Sequence, residues 1–185
     1  KWGAWFFSVA YIAYLRSVIR AISSEVESPS PAAIVRRVNQ LLWEDLKVSE
    51  VFTTVYLAII DPERREITFT NAAHPPTMHY IAASDKVHAR PETGLILGVQ
   101  PDFDYEDTTI SLAPGDMIVT YSDGITEAFD QSGQLYGEDR LIQIIQRNSH
   151  ADINELVNSV FADVDSFSNG SKPEDDRTLA ILRAL

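Results

Sequence analysis

Two acidic stretches, far apart in the chain, sit at the ends of apolar runs. The first is Asp116-Met-Ile-Val-Thr-Tyr-Ser-Asp123-Gly124-Ile-Thr-Glu127-Ala-Phe-Asp130, introduced by the turn signal Pro114-Gly115. Met117 to Tyr121 is short, β-branched and apolar, which reads as a buried strand. The hydrophobicity then stops at Ser122-Asp123-Gly124, where a glycine permits a sharp turn at positive φ. The strand therefore delivers the carboxylate of Asp123 to the rim of a sheet, with Glu127 and Asp130 following. The second stretch, Pro173-Glu174-Asp175-Asp176-Arg177, precedes Thr178 to Leu182, again read as a buried strand.

In one case the acid follows its strand; in the other it comes before. If the two strands are antiparallel neighbours, both acids share one sheet edge and Asp123 faces Asp175. Such a pair repels by about 4 kcal/mol at about 4 Å and an effective dielectric near 20. Only Arg177 is close in sequence to offset that. Protonation, splaying into water or a shared divalent cation would each relieve the repulsion; the cation brings chemistry with it. The bland alternative for Asp123 is an ordinary polar loop after a strand.

The length, 185 residues, suits one domain with a sizeable core, here residues 1–185. A net charge of −12 disfavours nucleic acid and anionic membrane surfaces as partners. With no cysteine, disulfides, zinc-thiolate sites and a cysteine nucleophile are excluded. His74, His79, His88 and His150 are scattered, without a pair at helical metal-binding spacing. The chain opens on Lys1 inside an apolar segment, as if cut from a larger protein. That segment mimics a signal peptide. Arg16 and Arg20 interrupt it too early for a bilayer span, which favours a buried helix.

The elements that must position the acids follow from periodicity. A helix is expected from Ala4 to Ser24, with Trp5, Val9, Ile12, Arg16 and Ile19 on one face and Phe6, Ala10 and Ala13 on another. Ser30 caps a second helix with Pro31 in its first turn. It turns Ile34, Val38, Leu41 and Leu42 inward, turns Arg36, Arg37, Gln40 and Glu44 outward, and ends near Lys47. Strands are expected at Phe52–Ile60, Arg65–Ala72, Thr77–Ala82, Lys86–Arg90 and Tyr105–Leu112. Asp61-Pro62-Glu63-Arg64 makes the first hairpin turn. Gly137-Glu138-Asp139 opens a helix with apolar Leu141, Ile142, Ile144 and Ile145. Asp152 to Glu155 opens a last helix, burying Leu156, Val160, Phe161 and Val164 and ending at Asn169-Gly170. Helix pair, strands, helix pair, strand is an α+β order, with sheets covered by helices.

Six motifs occur in register: Thr70-Asn-Ala-Ala-His74-Pro-Pro76, Thr93-Gly-Leu-Ile-Leu-Gly98, Leu112-Ala-Pro-Gly-Asp116, Tyr121-Ser-Asp123-Gly-Ile-Thr-Glu127-Ala128, Tyr136-Gly-Glu-Asp-Arg-Leu141 and Asp175-Asp-Arg-Thr-Leu179. Together they resemble the bacterial branch of the PPM (2C-type) metal-dependent protein phosphatases, which includes the sporulation stage II E and sigma-regulation phosphatases. The resemblance runs from about Trp2 to Leu185. It implies an αββα sandwich, two packed antiparallel sheets flanked by helix pairs. It further implies Asp123 and Asp175 as catalytic metal ligands, with Asp176 able to exchange with Asp175. Two Mn²⁺ or Mg²⁺ ions would activate a water against phosphoserine or phosphothreonine. The implied partners are a phosphorylated regulator of the anti-sigma-factor-antagonist kind, an upstream sensor domain and a second copy through the first helices. The implied setting is cytoplasmic, with the parent protein attached to a membrane through upstream segments.

The family carries further acidic motifs upstream of the first long helix, and these lie outside the sequence, so weak metal binding and poor turnover are expected of these residues alone. Ala73 stands where the family usually has glycine. His74 reads either as a proton donor or phosphate contact, or as a loop histidine held by two prolines and bonded to backbone. Glu127 reads as an orienting acid beside Asp123 or as a surface acid. Arg177 reads as a screen for the neighbouring aspartates more readily than as a phosphate-steering cation. The competing function is a non-catalytic regulatory module that keeps the fold and binds a partner through the first two helices.

Overall fold

The computed structural model describes residues 14–24, 30–49, 52–90, 94–169 and 175–185. The first half of the expected opening helix, with Trp5, Val9 and Ile12, lies outside the described residues, as do Pro173 and Glu174. The chain divides into two compact units.

The first unit holds helix α1 (14–24), helix α2 (Pro31–Ser49) and a three-stranded antiparallel sheet. Its strands are β1 (Val55–Asp61), β2 (Glu66–Ala72) and β5 (Thr108–Ser111), in the order β1-β2-β5. Helix α2 starts where its sequence specifies. The Ala33 N–H donates to Ser30 Oγ (3.2 Å), and the Ala32 N–H donates to Asp107 Oδ1 (2.7 Å). Two of the amides left open at a helix start are thereby satisfied. Asp107 Oδ1 also accepts from Thr70 Oγ1 at 2.8 Å, which ties α2 to β2. Ile34, Val35, Val38, Leu42 and Leu46 make the buried stripe. Leu41, expected inward, lies at the edge of that stripe and is 48% exposed. Buried among them, Asn39 donates to the Gln100 carbonyl (2.7 Å) and accepts from the Gly98 N–H (3.0 Å). Arg36, expected outward, pairs with Asp104.

The β1–β2 hairpin turns where the Asp61-Pro62 signal lies. Asp61 Oδ1 accepts from the Glu63 and Arg64 N–H groups at 3.0 and 2.9 Å. Near the end of β2, buried Asn71 closes the following loop. Its side chain donates to the His74 carbonyl (3.0 Å) and accepts from the His74 N–H (2.8 Å). Between them Ala73 stands at φ 59°. This is left-handed backbone that costs an L-residue roughly 1–2 kcal/mol. Gly94 lies beside this strand end, where a Cβ would sit 2.7 Å from the Asn71 carbonyl oxygen and 2.8 Å from the Tyr105 ring.

The second unit holds a four-stranded antiparallel sheet in the order β4-β3-β6-β7. Its strands are β3 (Thr77–Ile81), β4 (Lys86–Arg90), β6 (Met117–Tyr121) and β7 (Leu179–Arg183). Met78, Tyr80, Met117, Val119 and Tyr121 alternate along β3 and β6 and share one face with the core of this unit. Helices α4 (Gly137–Arg147) and α5 (Ile153–Phe167) meet that face with Leu141, Ile145, Leu156, Val160 and Val164. The four-residue spacing of these side chains makes one apolar stripe on each helix. Asp152 caps α5 by accepting from the Asn154 N–H (2.8 Å), and Asn169, at φ 50°, follows its end.

Strand β7 differs from its expected burial. Among the described residues it is the sheet's edge, paired on one side by β6, and most of its residues are half-exposed. Asp116, in the turn before β6, is 3% exposed. Its two oxygens accept from the Ala82 and Ala113 N–H groups at 2.9 and 3.0 Å. His79 is 5% exposed, with Nε2 3.5 Å from Asp116 Oδ2. Burial pushes the His79 imidazole below its ordinary value, Asp116 offsets part of this, and Arg90 and His88 add to the depression.

Two expectations follow. Ala73→Gly relieves the left-handed strain while enlarging the unfolded ensemble, for a net gain of about 0.5 kcal/mol, read as a higher denaturant midpoint at unchanged slope. A depressed histidine leaves the unfolded chain binding the extra proton. Its share of stability is therefore complete above the unfolded value, about 6.5, and is lost as pH falls below it. His79→Gln flattens the decline in thermal midpoint between about pH 7.5 and 5.5; an unchanged slope would assign that decline to other groups.

Candidate functional site

The candidate site lies wholly in the second unit, where β6 and β7 end together. The antiparallel pairing expected for these strands is present, with Tyr121 opposite Leu179 as the last register pair. The ladder then continues by other means. The Ser122 N–H donates to the Thr178 carbonyl at 3.0 Å. Ser122 Oγ donates to the Asp176 carbonyl (2.9 Å) and accepts from the Thr178 N–H (2.8 Å). Asp123 and the Asp175–Asp176 pair thus flank one clasped end of the sheet.

After Ser122 the chain makes a single helical turn, α3 (Asp123–Thr126), rather than the expected sharp turn at positive φ. Ile125, fully buried, anchors it in the core of the unit. The Ile125 and Glu127 N–H groups donate to the Ser122 and Asp123 carbonyls at 3.1 and 2.8 Å. Gly124 lies inside this helical turn, so the expected role for positive φ is corrected to one of space. A Cβ at Gly124 would meet the Asp176 carbonyl oxygen at 2.6 Å and that of Asp175 at 3.3 Å. Any side chain there would push the two strand ends apart.

The carboxylates themselves are exposed. Asp123 Oδ1 accepts from the Gly124 N–H at 2.9 Å, and Asp175 Oδ1 accepts from the Asp176 N–H at 2.7 Å. Among the described residues, no group of three or more His, Cys, Asp or Glu side chains gathers to hold a metal ion. The expected trio of Asp123, Asp175 and Asp176 is therefore adjacent in backbone but not drawn into one cluster. Exposed carboxylates relax their mutual repulsion into water. The donor set still fits Mg²⁺ or Mn²⁺, because these hard cations accept one or two carboxylates and keep the remaining positions for water or phosphate oxygens.

The remaining acids and bases have separate tasks. Arg177 does not screen the aspartates: its guanidinium pairs with Asp165 on α5 at 2.6 Å and reaches Ser168 Oγ at 3.5 Å. Glu127 is exposed, and its backbone N–H closes the α3 turn. Asp130 organises the next turn, accepting at Oδ1 from Ser132 Oγ, Ser132 N–H and Gln134 N–H at 2.7, 2.8 and 2.9 Å. The Ser132 hydroxyl is the main reason its carboxyl sits below the usual range. His74 belongs to the first unit, where its backbone is held by Asn71 and its ring lies 6.1 Å from that of Tyr56. Sequence reading passed over Ser122. The signal for it was a hydroxyl between a strand and its acid, opposite a second acid-strand junction.

Residues 8–185 match the family described as stage II sporulation protein E (SpoIIE), and the match runs through both units. The chain is 28% identical over 153 residues to the phosphoserine phosphatase RsbU of Bacillus subtilis, covering 83% of this chain and 45% of that protein. It is 25% identical over 146 residues to protein IcfG of Synechocystis, covering 78% and 23%. The chain thus spans less than half the length of these curated relatives. In fold it is similar to the SiaA-PP2C domain of Pseudomonas aeruginosa, with a TM-score of 0.79 and 21% identity, covering 91% of this chain and 67% of that one. It is also similar to the Mn-presoaked phosphatase domain of SpoIIE from Bacillus subtilis, with a TM-score of 0.61 and 19% identity, covering 93% and 72%. The two antiparallel sheets with their helices are the fold of these PP2C domains, and the chain belongs to the SpoIIE family.

Proposed function

We propose that this chain is the phosphatase domain of a regulatory protein, hydrolysing phosphoserine or phosphothreonine on a phosphorylated protein regulator with the help of Mn²⁺ or Mg²⁺. The observation that carries this reading is the clasped junction of β6 and β7, which presents Asp123 and Asp175 at one sheet end with backbone too close at Gly124 for any side chain. The family match and the phosphoserine phosphatase named among the relatives support it.

In this reading Asp123 and Asp175 hold the cations, with Asp176 able to exchange with Asp175. Bound there, Mn²⁺ or Mg²⁺ supplies an acidified water and neutralises charge on the phosphate oxygens. Buried Ile125 and the α3 turn fix the position of Asp123. The absence of cysteine excludes a thiolate nucleophile. Arg177, committed to Asp165, leaves phosphate recognition to other groups. The regulator whose phosphate is removed is of the anti-sigma-factor-antagonist kind in this proposal, and an upstream sensor domain sets when it is removed.

In the full-length protein, Asp123→Ala and Asp175→Ala each lower Mn²⁺-dependent phosphate release from a phosphoserine peptide by about 100-fold or more. Their thermal transitions stay within about 0.5 kcal/mol of the parent, as for other exposed positions. Undiminished release in either variant would contradict the metal role of that aspartate, and no Mn²⁺-dependent release from the parent protein would leave the non-catalytic regulatory module as the reading. Gly124→Ala forces apart the backbone it touches. It costs about 1–3 kcal/mol of stability in denaturant titration and lowers phosphate release as well. Retention of both would show that the close approach is dispensable.

A further inference from the structure

We propose that Ser122 is a positioning residue: its hydroxyl sets the distance between the two carboxylate-bearing strand ends and thereby the affinity for the divalent cation. This rests on the phosphatase reading above. A serine hydroxyl has one proton to give and two lone pairs. Here the proton goes to the Asp176 carbonyl at 2.9 Å, and a lone pair takes the Thr178 N–H at 2.8 Å. The Ser122 backbone N–H adds a bond to the Thr178 carbonyl at 3.0 Å. One residue therefore makes three bonds to the segment that carries Asp175 and Asp176.

That segment needs such a hold. β7 is an edge strand, and regular pairing with β6 stops at Tyr121 and Leu179. Asp175 and Asp176 are both exposed and precede the strand, so little apolar burial fixes them. The guanidinium of Arg177 anchors the segment to α5 from the other direction. Gly124 leaves the room, and Ser122 supplies the bonds that use it. Ser122 touches neither carboxylate in the bonds it makes, so its effect on the cation passes through the backbone of Asp176 and Thr178.

The test uses the full-length protein with Ser122→Ala, Ser122→Thr and Asp123→Ala. Amide hydrogen exchange of the metal-free protein reads the clasp directly. Ser122→Ala accelerates exchange at Thr178 and leaves the β3–β6 amides unchanged. Mn²⁺ binding, followed by paramagnetic resonance of the free ion, weakens about tenfold in Ser122→Ala, the scale expected for a group that orients a metal ligand. Ser122→Thr keeps the hydroxyl and restores both. If Ser122→Ala binds Mn²⁺ as the parent does while Asp123→Ala does not, the positioning role is overturned and the metal role of Asp123 stands. If Asp123→Ala also binds as the parent does, the phosphatase reading fails first. Weakened binding in Ser122→Ala with faster exchange throughout the sheet, unrescued by threonine, would overturn positioning in favour of a general loosening of the fold.

Discussion

The arrangement depends on a close approach of backbone to backbone. The Asp175–Asp176 carbonyls come so near Gly124 that even a methyl group would be excluded. Two strand ends distant in sequence can come this close only where a residue without a side chain meets a partner held by hydrogen bonds. The antiparallel β6–β7 ladder brings the ends together, and the Ser122 hydroxyl carries the pairing on where the ladder stops. Without that approach, Asp123 and Asp175 would be two unrelated surface acids.

The aspartates divide by burial into two working classes. Asp116, almost without solvent, spends both oxygens on backbone N–H groups and fixes the entry into β6. A buried carboxylate must be satisfied in this way, because an unpaired one would cost more than a small domain can bear. Asp123 and Asp175 instead remain exposed, and each accepts one local N–H through Oδ1. Free lone pairs facing solvent are what a hard cation needs from its ligands. The contrast separates Asp116, a scaffold acid, from the candidate ligands Asp123 and Asp175.

Much of this was legible in the residues, and the misses have physical reasons. The short β-branched apolar run Met117–Tyr121 and the apolar spacing in Leu141–Ile145 and Leu156–Val164 identify elements because burial selects such patterns. The acids' positions relative to each apolar run pose the condition that β6 and β7 be antiparallel neighbours, and the register meets it. Periodicity reports which residues are apolar and not which strand lies outermost, so β7 read as buried although it is an edge. Gly124 read as a turn residue because glycine's commonest use is positive φ; a need for space leaves no local mark. Arg177 read as a screen for its sequence neighbours because its partner, Asp165, lies a helix away. The glycine replaced by Ala73 was the informative departure, since φ there is indeed left-handed.

Among the described residues, strand β4 forms the other border of the four-stranded sheet. Along it Lys86, His88, Ala89 and Arg90 are exposed, and Val87 alone is partly covered against the core of the unit. An open border of backbone amides and carbonyls is a template for any extended chain that drifts against it. Cationic side chains spaced along that border make stacking of like borders unfavourable, since two copies would set positive charge against positive charge. In a chain whose net charge is strongly negative, these few cations stand where they guard against fibril-like self-association, a hazard that the overall charge alone would not address strand by strand.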